Sequence, residues 1–130
     1  MRGESVTAGG IILAGVDDPS AGALAQDFSA DTRKTLITAH LNTFIVLLKH
    51  QPRIDNDIPF DLQLSGHIHG GQIFPIAFIT RLVYGVDAGL TQLTDGRLLY
   101  TSRGAGTWGP PIRIAAPPEI MLFTIESGGK

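Results

Sequence analysis

Two short apolar runs, each followed at once by histidine, constrain this chain more than any other feature. Residues 44–48 (Phe, Ile, Val, Leu, Leu) lead into Lys49 and His50, and residues 60–64 lead into Ser65, Gly66, His67, Ile68, His69, Gly70 and Gly71. Runs of this length and make-up read as buried strands. Gln51 and Pro52 end the first, because proline cannot continue a central ladder. The polar link 53–59 fits parallel or mixed strand order better than a hairpin. Both strands thus deliver imidazole at their carboxyl ends, where open α/β sheets place their ligands. Three of the four histidines lie there.

The rest of the chain reads as strand-rich, with most candidate helix in the first third. Gly9 and Gly10 predict a hairpin over 6–16, ending at Asp17, Asp18 and Pro19 in an Asx-type turn. Residues 22–29 are loop or a frayed helical turn. Asp31 is the candidate cap of a helix over 32–40, with Leu36, Ile37 and His40 on one side. Residues 72–79 are loop or short helix interrupted by Pro75, and 81–85 strand or helical turn. Asp95 and Gly96, flanked by 90–94 and 97–101, give the strongest hairpin signal. Residues 104–111 mix glycine and proline with Trp108, residues 119–125 read as a terminal strand, and 128–130 fray. Phe44, Phe60 and Phe123 are core candidates. No repeat or boundary divides residues 1–130.

Composition excludes several classes. A chain of 130 residues that is 43% hydrophobic can bury one real core. Its net charge of −2 carries no footprint for nucleic acid. Without cysteine, a metal must be held by nitrogen and oxygen. No apolar stretch reaches the roughly 18 residues of a membrane span, and the first residues lack the apolar core of a signal peptide. Ser65 and Ser102 have no base-and-orienter arrangement, and the glycine-rich loops lack a phosphate-binding lysine.

In a regular strand His67 and His69 would point to one face. In a loop their directions are free, and Gly66, Gly70 and Gly71 give the backbone room to aim both rings inward. His40, on a helix, reads as structural. Arg103 and Trp108 sit where they could shape a substrate rim.

Leu47 to Pro52, Leu64 to Gln72 and Gly104 to Arg113 resemble the C-terminal half of a calcineurin-like metallophosphoesterase. The resemblance is closest to a bacterial branch whose members often carry a membrane segment or export signal, and it covers nearly the whole chain. It implies an α/β (α+β) fold: the C-terminal half of a four-layer β-sandwich with flanking helices, predominantly strand. It implies two divalent cations (manganese, iron or zinc), with His50 and His67 on one and His69 on the other. Those cations would activate a water for hydrolysis of a phosphomono- or phosphodiester. The backbone at Gly66 and Gly70 would shape the pocket, with Arg103, Gly106 and Trp108 near it.

The family's earlier motifs, Asp-x-His, Gly-Asp-x-x-Asp and Gly-Asn-His-Asp/Glu, are absent from residues 1–30. Asp17 and Asp18 match a pair to which the family gives no ligating role. Three imidazoles divided between two ions, without the bridging carboxylate that offsets cation repulsion, hold a dinuclear centre poorly. The resemblance therefore implies partial metal occupancy, an inactive isolated chain, and exposed apolar surface that pairs with a missing N-terminal half or with itself. The alternatives are a non-catalytic metal-binding or self-associating module and a purely structural remnant. The chain as it stands reads as cytoplasmic, its parent as membrane-associated or exported.

Overall fold

Gly9 and Gly10 adopt φ of 58° and 83°, the left-handed backbone that a tight hairpin needs. They fold β1 (Glu4–Ala8) antiparallel onto β2 (Ile11–Gly15). From there the sheet turns parallel: β2 pairs with β3 (Ile45–Leu48) and β3 with β4 (Leu62–Ser65). In chain order β5 (Gly89–Gln92) and β6 (Leu98–Thr101) follow, joined by the expected hairpin at Asp95 and Gly96. β6 pairs parallel with β4, completing a six-stranded mixed sheet in the order β1-β2-β3-β4-β6-β5. The computed structural model describes residues 1–18, 20, 22 and 27–126. The expectations for 23–26 and 128–130 lie outside the described residues.

One face of the sheet carries the main core cluster, while Val46, Leu62 and Tyr100 are buried on the other. Ala14, Leu47, Gln63 and Leu99 form a single row across β2, β3, β4 and β6, and all are fully buried. Ile12, Ile45, Phe60, Ile58 and Phe28 extend the core, and Leu36 of α1 (Ala30–Ala39) packs there too. The cap of α1 is Ser29, not the Asp31 that the sequence pattern suggests: Thr32 N–H donates to Ser29 Oγ at 3.1 Å. Serine caps as well as aspartate, so the helix starts earlier. Ile37, one step of about 100° from Leu36, is exposed rather than sharing its side.

Other expectations fail for identifiable reasons. Phe44 and Phe123 are more than a third exposed, so only Phe60 of the three phenylalanines is core. Residues 119–125 form no strand, although Phe123 packs edge-on against Tyr100 at 5.0 Å. A strand exists only beside a partner, and this segment pairs with neither edge, β1 nor β5. Its alternate residues Ile120 and Leu122 stand 89% exposed. Residues 76–84 take the helical alternative of both expectations and join into one helix, α2 (Ile76–Tyr84). Pro75 is its N-cap rather than an interruption, since a missing N–H is harmless at a helix start. Gly85 at φ 72° ends it. No residue of α2 is buried.

Candidate metal centre

The carboxyl ends of β2, β3 and β4 lie side by side because these strands are parallel neighbours. Each is followed by a donor: Asp18, His50 and His67. Backbone bonds fix the last two, with Gly66 N–H donating to His50 O at 2.9 Å and Lys49 N–H to Leu64 O at 3.1 Å. The turn after β4 then adopts left-handed backbone repeatedly, at His67 (φ 67°), His69 (φ 49°), Gly70 (φ 60°), Gly71 (φ 78°) and Gln72 (φ 47°). For the three non-glycine residues this stores about 1 kcal/mol or more each, as is common at functional sites. Ile68, buried between the two histidines, anchors the turn.

His67 Nδ1 lies 3.1 Å from His50 Nε2, the two rings nearly perpendicular at 85°. Asp18 Oδ2 is 3.5 Å from the same His50 nitrogen. Donor atoms of Asp18, His50 and His67 all fall within 4.8 Å of one another. Asp18 does form the expected Asx turn, accepting from Ser20 N–H at 2.9 Å, and Oδ1 also accepts from Gln51 Nε2 at 2.8 Å. The missed feature is its second oxygen, left to face His50. The signal was available: a carboxylate after β2 must neighbour a histidine after β3 once those strands are parallel.

Electrostatics favour the ligating forms of Asp18 and His67. Burial alone would raise the Asp18 carboxyl, but the bonds from Ser20 and Gln51 and the nearby His50 outweigh it and hold its pKa down. Burial, then the adjoining His50, lowers that of His67. A carboxylate with neutral imidazoles suits a borderline divalent cation. Two nitrogens 3.1 Å apart, each about 2.1 Å from one ion, would subtend roughly 95°, an ordinary angle between neighbouring ligands. The donors fit a metal.

His69 lies outside this donor group but lines the same cavity, of about 460 Å³, as His50 and His67. Its Nδ1 is 3.2 Å from Arg113 Nη2. Burial first, then the Arg113 charge, lowers its pKa. Arg113, unnoticed in the sequence, bridges the carbonyls of Arg103 (2.9 Å), Gly104 (3.1 Å), Ala116 (3.0 Å) and Gly106. Gln72, also unnoticed, donates to Trp108 O (2.7 Å) and Pro110 O (3.2 Å) and accepts from Trp108 N–H (2.6 Å). It pins the Trp108 loop to the histidine turn.

The remaining candidates are dispersed. Trp108 lines the cavity. Gly66 borders a separate cleft beside His50. Gly70 lies against the Arg103 side chain, and the Arg103 guanidinium is paired with Glu119 at 2.5 Å. Gly106 contributes its carbonyl to Arg113. His40, at the C-cap of α1, lies 3.6 Å from Asp61 and takes no part in the cluster.

Comparison with known proteins bears on what such a site does. Over 99% of its length the chain is 38% identical to an uncharacterized metallophosphoesterase of Aquifex aeolicus, and it spans 51% of that protein. It is 40% identical over 96% of its length to one from Helicobacter pylori (strain J99), spanning 35% of it. A transmembrane protein with metallophosphoesterase domain from Danio rerio is 34% identical over 89% of the chain, which spans 28% of it. The chain thus covers about half or less of the relatives it matches. No family model matches the chain, and no solved structure does.

Proposed function

We propose that this chain is the C-terminal part of a divalent-metal-dependent phosphoesterase domain, its sheet forming one layer of the complete sandwich. Asp18, His50 and His67 hold one cation. His69 serves a second, whose other donors lie outside these residues. The observation carrying this reading is the gathering of one carboxylate and two imidazoles within 4.8 Å at the ends of three parallel strands. Similarity to metallophosphoesterases supports the reaction class, hydrolysis of a phosphomono- or phosphodiester.

A bound cation supplies Lewis-acid polarisation of a phosphoryl oxygen. The chain's own residues organise it. Ser20 and Gln51 occupy Asp18 Oδ1, leaving Oδ2 for the ion. Cavity burial favours the neutral, ligating form of His67. With one complete donor group, the chain alone is expected to bind a cation and to lack two-metal turnover. No helix among the described residues is long and apolar enough to cross a membrane.

Titration calorimetry and thermal scans with Zn²⁺ or Mn²⁺ test the reading. An ion bound only by the fold adds about 2.7 kcal/mol at one hundred times its Kd. One ion per chain is expected, lost in His67→Ala, weakened at least tenfold in Asp18→Ala and retained in His40→Ala. Absence of stabilisation by either ion would remove the metal site. Robust Mn²⁺-dependent turnover lost in His67→Ala would instead overturn the inactivity of the chain alone. Self-association is a second reading, favoured by exposed Leu82, Ile120 and Leu122; the sedimentation mass decides it.

A further inference from the structure

α2 forms one wall of the cavity that holds the three histidines. Ile76, Thr80 and Tyr84 recur every four residues, sharing one helix face, and all three border the cavity. The Tyr84 ring meets His67 edge-on at 5.5 Å. Trp108 and Pro110 also border it. A volume of about 460 Å³ falls within the roughly 300–1,000 Å³ of small-molecule pockets and leaves room beyond a phosphoryl group.

The chemistry of that room is one-sided. Beyond the histidines, two of its polar side chains are already engaged: Thr80 Oγ1 donates to Ala77 O at 3.0 Å, and both ends of the Gln72 amide hold the Trp108 loop. Ile68, Ile73 and Ile76 offer only hydrocarbon, while Tyr84 and Trp108 offer rings with a single polar atom each. A sugar or a charged headgroup would leave most of its hydrogen bonds unmade there. An alkyl group would not.

We propose that the cavity takes phosphate esters of apolar alcohols, with the phosphoryl group toward the histidines and the hydrocarbon between Ile76 and Trp108. The inference rests on the metal-site reading for its phosphoryl end and on the cavity wall for the other. Trp108 is the chain's one tryptophan, so its fluorescence reports occupancy of the wall directly.

The experiment titrates the chain with inorganic phosphate and the n-alkyl phosphates from ethyl to hexyl, with and without Zn²⁺, and with the matching n-alcohols. Affinity should rise about two- to fourfold per added methylene, the upper figure being that of a fully buried one, with Trp108 emission shifting to the blue. Ile76→Asn should flatten this slope. Leu82→Asn, on the outer helix face at 86% exposure, should keep it. A flat series in the parent chain would overturn the inference, as would tighter binding of a nucleoside monophosphate than of hexyl phosphate. Equal loss in Leu82→Asn would place the hydrocarbon outside the cavity and overturn it too. The metal reading is tested separately, by whether Zn²⁺ strengthens the phosphates but not the alcohols. A chain-length slope without Zn²⁺ dependence would retain the apolar wall and reject the cation.

Discussion

Replacing Gly71 by alanine tests how the histidine turn is held against α2. A Cβ there would stand 2.3 Å from both the backbone N and the Cα of Ala77, closer than any atom pair tolerates. The obstacle is helix backbone, so no rotamer relieves it. Gly70→Ala is the matched control. It also occupies the left-handed region, but its Cβ would meet side chain rather than backbone, Arg103 Cγ at 2.8 Å, which can shift only together with the Glu119 pair. Both variants lose about 1–2 kcal/mol for the backbone conformation. Gly71→Ala adds about 1–3 kcal/mol of overpacking, for a total of about 2–5 kcal/mol. Urea denaturation followed by far-ultraviolet circular dichroism measures both, compared at a shared denaturant slope. If Gly71→Ala lost no more stability than Gly70→Ala, α2 would be free to swing away, and the wall it gives the histidine cavity would not be fixed.

Three further outcomes follow from the loops around the site. Burial alone would raise the Glu119 carboxyl, but bonds from Arg103 and the Tyr100 hydroxyl outweigh it and hold its pKa below 4.5. The charged form is thus favoured by the fold. Its contribution is complete above the unfolded value and lost as pH falls through the lower folded one. Glu119→Gln should cost about 1–2 kcal/mol near neutral pH, the low end for charged hydrogen bonds because Arg103 is partly exposed. It should also flatten the acid side of the stability profile; an unchanged profile in urea midpoints would count against the pairing. Gln72→Ala frees the loop that the amide holds, so Trp108 fluorescence anisotropy should fall, and unchanged anisotropy would mean that other contacts hold the loop. Arg113→Ala leaves several carbonyls without their shared donor and should lower the urea midpoint more than Arg53→Ala, whose guanidinium overlies the Tyr84 ring.

Much of this architecture is legible from the residues. The apolar runs before His50 and His67, the glycine pair at 9–10 and the Asp95 and Gly96 turn each specify local structure by pattern alone, and all form. The parallel order of β3 and β4 agrees with the expectation placed on the polar link 53–59. Residues 119–125 and 76–84 mark the limit. The first has strand composition but no neighbour to pair with, and pairing is a property of the whole sheet. The second is a short, mainly apolar run rich in β-branched and aromatic residues that follows Pro75, and so short a run does not separate a strand from a helix.

The candidate site was half legible for a related reason. Residue spacing of two places His67 and His69 on one face only if the backbone is extended. It is left-handed at both, with Ile68 buried between them. The two rings therefore diverge, one toward His50 and the other toward Arg113, and the third donor at the His50 cluster becomes Asp18. Asp18 is invisible to motif spacing because it lies 32 residues before His50 in the chain. It becomes visible once β2 and β3 are known to be parallel neighbours, since their carboxyl ends then share an edge. The topology, rather than the histidine motif alone, completes the donor set.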